Sequence, residues 1–392
     1  MKMIPQDLPT AKKLFIGVLS GTSMDSIDAI LIDFDHNKQV IIATVSYPFN
    51  KKLAAQLLKI INLGKCSLED LGILDHKLGM AFANAVKKLL FKSGVAAEKI
   101  TAIGCHGQNI WHAPWHKYPN TMQIGNPNII CATSNILTIN DFRRKDMAFG
   151  GQGAPLAPGF HAAVFSSAYK NRAIINIGGI SNITVLPKNL ATPIIGFDLG
   201  PGNCLMDEWV QQKIKKLKIN YDKNGAMAST GQVITKLLNI CLQDPYFKKS
   251  SPKSTGREYF NLNWLDQKIK LAKLSKPYKN QDILATLLYL TANIIVDQIS
   301  SISLKSVQIE EIYICGGGAN NQALLALLKK MINYPVATTK DLGIHPDWVE
   351  AALFAWLAKQ TIEQQPGNVP SVTGARSPAI LGAIYLPDNL DN

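Results

Sequence analysis

Apolar residues along the chain fall in short runs that end in glycine-rich turns, and the order of those runs repeats. Leu14 to Leu19 is apolar and breaks at Ser20-Gly21-Thr22-Ser23, after which a second run extends from Ile27 to Ile32. Two β-rich runs flanking a glycine turn predict a β-hairpin. Ala173 to Ile177 behaves in the same way, passing through Gly178-Gly179-Ile180-Ser181 into Asn182 to Leu186. Between and after these hairpins the apolar period lengthens. Leu78 to Phe91 and Ile283 to Ile302 carry apolar side chains at helical spacing. Each predicted helix is followed by a strand that ends in small residues, Ile100 to Gly107 in one case and Ile312 to Gly318 in the other.

The chain therefore runs hairpin, helix, strand-glycine, and then the same again. This predicts two α/β lobes, each on a mixed sheet. The 392 residues are more than one core usually covers. We place the boundary in the segment from Phe165 to Lys170, giving lobes of 1–168 and 169–392.

Glycine turns with hydroxyl neighbours present main-chain N–H groups to anions. Gly21, Thr22, Ser23, Met24, Asp25, Ser26, Ile27 and Asp28 form one such tip, with Asp25 close enough to hold a magnesium ion through water. Gly178 and Gly179 form a second. Taken singly, each is more often just a turn, and it is the repetition in both lobes that raises the phosphate reading to an equal footing. The chain has no G-x-x-x-x-G-K-[ST] loop and no G-x-G-x-x-G after its first strand. Asp198 lies in a glycine-proline loop directly after a strand, a placement that suits a general base and also suits a self-satisfied Asx turn. His106 and Gln108 stand just past a strand end with Trp111 and His112 close behind, a mixture that suits a sugar. Asp141 and Arg143 lead into the Gly150-Gly151-Gln152-Gly153 turn.

Net charge is +13, with lysines thickening between Lys213 and Lys279. That balance favours anions in general, but no aromatic stacking pattern of the kind that single-strand binders use is interleaved with the charges. We read the stretch as a solvated surface. The six cysteines form no C-x-x-C pair, which suits a reducing compartment, and the histidines form no metal set. Met1 to Lys13 lacks the apolar centre of a signal peptide, and no run reads as a membrane span. Cytoplasmic location is the expectation.

Taken in order, Ser20-Gly21-Thr22-Ser23-Met24-Asp25, Cys105-His106-Gly107-Gln108, Asp141-Phe142-Arg143, Gly150 to Leu156, Asn176 to Asn182, Gly196-Phe197-Asp198, Gly200 to Asn203, Ser254-Thr255-Gly256-Arg257-Glu258, Cys315 to Asn320 and Asp347 to Ala351 resemble the signature segments of the anhydro-N-acetylmuramic acid kinases. The resemblance spans about Gly17 to Gly382. It implies a duplicated actin/hexokinase-like (ribonuclease H-like) fold with a central nucleotide cleft. It also implies a reaction in which water opens a 1,6-anhydro sugar while O6 takes the γ-phosphate of ATP.

Carried over residue by residue, the resemblance makes Gly21 to Asp28, with Gly178 and Gly179, the ATP phosphate turns. Gly316, Gly317 and Gly318 become the turn against the nucleoside, and Asp198 the base. His106, Gln108, Asp141, Arg143, Gln152, Asn203 and Glu350 become sugar contacts. ATP and Mg2+ are the implied cofactors, an amino sugar the substrate, and a homodimer the assembly, with no nucleic-acid or membrane partner. Ser26, Asn109 and Leu199 depart from the family pattern, which has glycine, threonine and threonine there. Two alternatives stay open: a kinase of another sugar on the same fold, and an actin-like ATPase switch associated with nucleic acid.

Overall fold

A computed structural model describes residues 13–21, 24–34, 39–214, 219–251, 253–274 and 278–387. Thr22, Ser23 and the acidic tail lie outside the described residues. Two compact units result, 1–160 with 348–392, and 161–347.

In the first unit a six-stranded sheet contains β1 (Leu14–Ser20), β2 (Ser26–Asp33), β3 (Val40–Pro48), β4 (Ile100–Cys105), β7 (Thr138–Asn140) and β13 (Ala383–Tyr385) in the order β13-β7-β4-β1-β2-β3. The hairpin β5 (Gln108–Ala113) and β6 (Asn120–Ile124) stands apart from it. The β1–β2–β3 meander is antiparallel, whereas β4 runs parallel to β1 and β7 parallel to β4. The second unit repeats the scheme with β8 (Arg172–Ile177), β9 (Ile180–Leu186), β10 (Ile195–Pro201), β11 (Glu311–Cys315) and β12 (Val336–Thr338). Its order is β10-β9-β8-β11-β12, again an antiparallel meander with two parallel strands beyond it. In each unit the strands, numbered within the unit's repeated core, lie 3-2-1-4-5. This is the duplicated actin/hexokinase-like arrangement.

The helices follow from their caps and stripes. Helix α1 (Leu68–Ser93) starts ten residues before its apolar periodicity becomes clear. Ser67 accepts the Asp70 N–H, Glu69 and Asp70 suit the positive first turn, and Gly94 closes the helix in the left-handed conformation. Leu74, Leu78, Phe82, Val86 and Leu89 form its buried stripe. Helix α2 (Asn280–Lys305) is apolar nearly all round. Contrary to the sequence expectation, it has the length and hydropathy of a membrane span, but 67% of its most apolar window is buried within the protein. Ile283, Leu287, Leu290, Ile294 and Ile295 pack in the second unit's core, which is the ordinary cause of such composition.

The expected lobe of 169–392 is corrected by the C-terminal segment, which belongs to the first unit. Helix α3 (Val349–Ile362) lies on β1 and β4, and β13 pairs with β7. The contact depends on Gly17 and Gly104, which are cross-strand partners. A Cβ at Gly17 would overlap the Ala351 carbonyl, and one at Gly104 would overlap the Phe354 carbonyl. Two facing glycines thus let a helix backbone rest directly on the sheet.

The lysine-rich stretch is not uniformly solvated. Lys268 forms an ion pair with Asp244 at 2.9 Å, its side chain only 14% exposed, and Lys253 is buried.

Candidate active site

Each unit gathers its own set of predicted residues. In the first, the turn after β1 is closed by the Met24 N–H donating to the Gly21 carbonyl at 3.2 Å, with Met24 at φ +52°. The Met24 and Ile27 side chains are buried in the core, so those residues have only main chain to offer a phosphate. Asp25 projects outward. The Ser26 hydroxyl donates to Asp28 Oδ1 at 2.9 Å, and Ser46 Oγ reaches the same carboxylate oxygen. The serine that replaces the family's glycine is therefore committed to Asp28. One exposed carboxylate fits a magnesium ion carried mainly by phosphates and water. Among the described residues no cluster of three metal-ligating side chains competes with it.

The sugar-pocket candidates meet at the end of β4. Arg143 Nε–H donates to His106 Nε2 at 3.0 Å, and Arg143 Nη1 donates to the Gly153 carbonyl at 2.8 Å. The first of these contacts leaves the imidazole hydrogen on Nδ1. Burial, and then the Arg143 charge, hold His106 well below the usual histidine range, so the ring is a neutral donor at pH 7. Its face packs on Phe354 of α3 at 4.6 Å between centroids. His106 Nδ1 and Gln108 Oε1 are both buried and have no hydrogen-bond partner among the described residues. Such orphans are rare in folded chains, and two together mark a place where a ligand supplies the missing partners.

Burial lowers Arg143 to about 10, opposed by the carboxylates of Glu350 and Asp146, so it remains a cation at neutral pH. Glu350 rides on the first turn of α3, which the glycine pair seats. Asp141 takes a left-handed φ of +59° and pairs with Arg144 at 3.3 Å. Its burial raises the carboxyl, with Arg144 opposing. Asp146 is the member the sequence reading missed. It is fully buried and accepts from the Gly153 N–H, Asn368 Nδ2 and Thr373 Oγ1, each at 2.7 Å. With the Gln152 N–H donating to the Thr373 carbonyl at 2.8 Å, the C-terminal segment anchors the glycine loop below Arg143.

In the second unit three glycine turns interlock at the carboxyl ends of the parallel strands β8 and β11. The N–H groups of Gly202, Asn203 and Cys204 donate to the carbonyls of Gly179, Gly178 and Gly179 at 2.9, 2.8 and 3.1 Å. Asn203 Nδ2 donates to the Ile177 carbonyl at 3.2 Å, so its amide serves the turn's own backbone. Gly316 and Gly318 are packed against Asn176 and Ile177, and Gly179 against the Arg257 guanidinium. Gly178 and Gly317 are the least crowded of the set, a Cβ there meeting only the Ile180 carbonyl at 3.5 Å and Asn203 Nδ2 at 3.8 Å, and are the positions that a ligand can approach most closely. Carboxyl ends of neighbouring parallel strands are where α/β sheets take ligands.

Asp198, expected in a loop after a strand, instead stands in the middle of β10, where the pairing with β9 shifts register between Asp198 and Gly200 and a bulge frees the carboxylate from a regular ladder position. Its Oδ2 accepts the Thr255 N–H at 3.1 Å. Burial pushes its carboxyl up to about 6, the Thr255 N–H opposes this, and Glu258 adds to it. A carboxylate poised there is ionised at neutral pH yet more basic than a free aspartate. Thr255, Arg257 and Glu258 were signalled only by the matched segment from Ser254 to Glu258. Tyr246, which donates to the Asp198 carbonyl at 2.8 Å, had no sequence signal. Leu199 is fully buried in the core, and Asn109 Oδ1 accepts from Gln123 Nε2 at 2.7 Å.

Residues 13–387 match the sequence family described as anhydro-N-acetylmuramic acid kinase. The protein of that name from Pasteurella multocida is 46% identical over 376 residues, 96% of this chain and 97% of the relative. Its namesake from Coxiella burnetii is 48% identical over 375 residues, 95% and 98% of the two chains. Among solved structures, the ADPNP-bound activator of the 2-hydroxyisocaproyl-CoA dehydratase from Clostridium difficile is 13% identical with a TM-score of 0.44, covering 90% of this chain and 96% of its own. The ROK hexokinase from Thermus thermophilus is also 13% identical, with a TM-score of 0.34 and 88% and 99% covered.

Proposed function

The chain belongs to the anhydro-N-acetylmuramic acid kinase family, and from that premise we propose how its residues divide the reaction. The enzyme is a kinase of cell-wall sugar recycling that converts 1,6-anhydro-N-acetylmuramic acid and ATP, with water, into N-acetylmuramic acid 6-phosphate and ADP. Water forms a bond to the anomeric carbon and the C1–O6 bond breaks. O6 bonds the γ-phosphorus as the bond to ADP breaks, and the water's proton passes to Asp198.

The observation that carries this reading is the Asp198 carboxyl, raised to about 6 by burial and held by the Thr255 N–H. A base must be ionised at the working pH, and its proton affinity must be high enough to assist attack. The neutral His106 donor, the Gln108 acceptor and the buried Arg143 cation suit a sugar that carries hydroxyls, an amide and a lactyl carboxylate. Taken each within its own unit, the main chain of Gly21 and Met24 to Asp28, and the Gly178 turn beside Arg257, suit phosphate oxygens. Gly317 leaves room for a nucleoside. Asp25 is the residue proposed to hold magnesium through water, and the ion would offset charge at the transferred phosphoryl group. Five of the six cysteines are buried and none is in a disulfide, which supports a reducing, cytoplasmic setting. A homodimer completes the proposal and is tested by sedimentation.

The deciding experiment follows ADP release with the anhydro sugar, magnesium and ATP, for the native chain and Asp198→Asn. Turnover by the native chain alone supports the reading. Turnover with ordinary hexoses but not with the anhydro sugar would reject the substrate while keeping a kinase.

A further inference from the structure

The base proposed above sits on the last strand of its sheet. Among the described residues no strand lies beyond β10, yet the outer edge at Asp198 is not open. The Asp198 N–H donates to the Lys253 carbonyl at 3.2 Å, and the Tyr246 hydroxyl donates to the Asp198 carbonyl at 2.8 Å. These two groups occupy the places that a sixth strand would fill. They act where they are most needed, because the register slip beside Asp198 weakens the ladder's hold on the strand direction. The loop that supplies the Lys253 carbonyl also supplies the Thr255 N–H to the carboxylate.

What holds this loop is the Lys253 side chain. It is 8% exposed, and its ammonium has no hydrogen-bond partner among the described residues. Nζ lies 5.0 Å from the Tyr246 ring centroid and 5.4 Å from that of Phe197. Burying an ammonium without a hydrogen bond is costly, and an apolar side chain would fill the same space at less cost. A cation between two aromatic faces recovers part of that loss and fixes the loop to both rings. One of those rings carries the hydroxyl that holds Asp198.

We propose that Lys253 and Tyr246 form a clamp that stands in for the missing strand and positions Asp198 for proton abstraction. The inference rests on the reading of Asp198 as the base. The clamp fixes the distance from the Thr255 N–H to the carboxylate, and that bond favours the ionised form. Loosening it therefore raises the proton affinity of Asp198. The other charged groups nearby are Glu258, which acts in the same direction on Asp198, and Lys249, which faces Lys253 and stands 5.7 Å from the Tyr246 ring.

The test measures kcat and both KM values from pH 5 to 9 for Lys253→Met, Lys253→Arg and Tyr246→Phe, with Asp198→Asn alongside. The acid limb of native kcat should lie near 6. In Lys253→Met it should move up by about one unit, so that kcat falls several-fold at pH 6.5 and recovers towards pH 8.5, with KM for ATP unchanged. Tyr246→Phe, which keeps the ring, should move it in the same direction by less. Lys253→Arg, which keeps the cation, should hold the native limb. A folded Lys253→Met with a native limb, or with kcat lowered equally at every pH, overturns the clamp. If that variant does not fold, a native limb in Tyr246→Phe overturns it. Full turnover by Asp198→Asn would instead remove the reading beneath the proposal.

Discussion

Asp198→Asn should destroy turnover and make the protein more stable at neutral pH. The Asp198 carboxyl titrates at about 6 in the folded chain against an ordinary 3.8, chiefly because it is buried. Its contribution to stability is therefore complete below 3.8 and is lost as the pH rises through about 6. Two units of difference correspond to ~3 kcal/mol at pH 8 as an upper bound, at 1.36 kcal/mol per unit. Asparagine removes the charge and keeps an oxygen for the Thr255 N–H, but it buries an amide that needs partners of its own. About half of the bound is a reasonable yield. For a unit of this size, ~1.5 kcal/mol raises the melting temperature by about 3–6 °C. Thermal melts of both chains between pH 4 and pH 8.5, with ADP release at each pH, measure this directly. The gap should close towards pH 4 and be full by pH 8. A gap that is constant with pH, or a native chain that melts higher at pH 8, would refute the reasoning. Such an outcome is informative because function would then not be in tension with stability at this carboxylate.

Gly104→Ala pushes a methyl into the backbone of α3, so urea unfolding should show a loss of ~1–3 kcal/mol in the first unit. KM for the sugar should rise as well, because α3 carries Glu350 and Phe354. Arg143→Met leaves the Gly153 carbonyl and His106 Nε2 without their donor. Kinetics should show a KM for the sugar raised at least tenfold, with KM for ATP little changed, and melts should show a loss of about 1–3 kcal/mol. Chelation of magnesium should stop turnover reversibly, and Asp25→Asn should raise the magnesium concentration needed for half-activity several-fold in a titration at fixed ATP.

Both hairpins, both strand-glycine elements and the centres of α1 and α2 are legible in the pattern, because alternating runs around a glycine turn have few other readings. The short strands β7, β12 and β13, three residues each, carry too little periodicity to be seen. The C-terminal return to the first unit was missed for a different reason. Nothing in a helix says which sheet it will cover, and the clue lay instead in Gly17 and Gly104, glycines inside strand runs. The site divides similarly. His106 and Arg143 stand just past strand ends where chemistry is expected, and the structure brings Arg143 onto His106, whereas Asp198 lies in the middle of β10, where local pattern does not place a base. Asp146 with Asn368 and Thr373, or Asp198 with Tyr246 and Lys253, are contacts between distant segments. Local pattern carries no trace of such pairings.

The seat for α3 is made by strands that precede the second unit in the chain, but the helix that fills it is made only after the whole of that unit. Between Phe160 and Trp348 the ribosome must add roughly 190 residues, which at about 5–20 residues per second takes ten seconds or more. During that interval the nascent first unit has β1 and β4 in place with the apolar floor around Gly17 and Gly104 uncovered. The second unit, contiguous in the chain, has everything it needs to fold meanwhile. A chain cut between Asp347 and Ile362 would thus spare the later-made unit and orphan the earlier one, leaving a sticky sheet that invites chaperones and proteases.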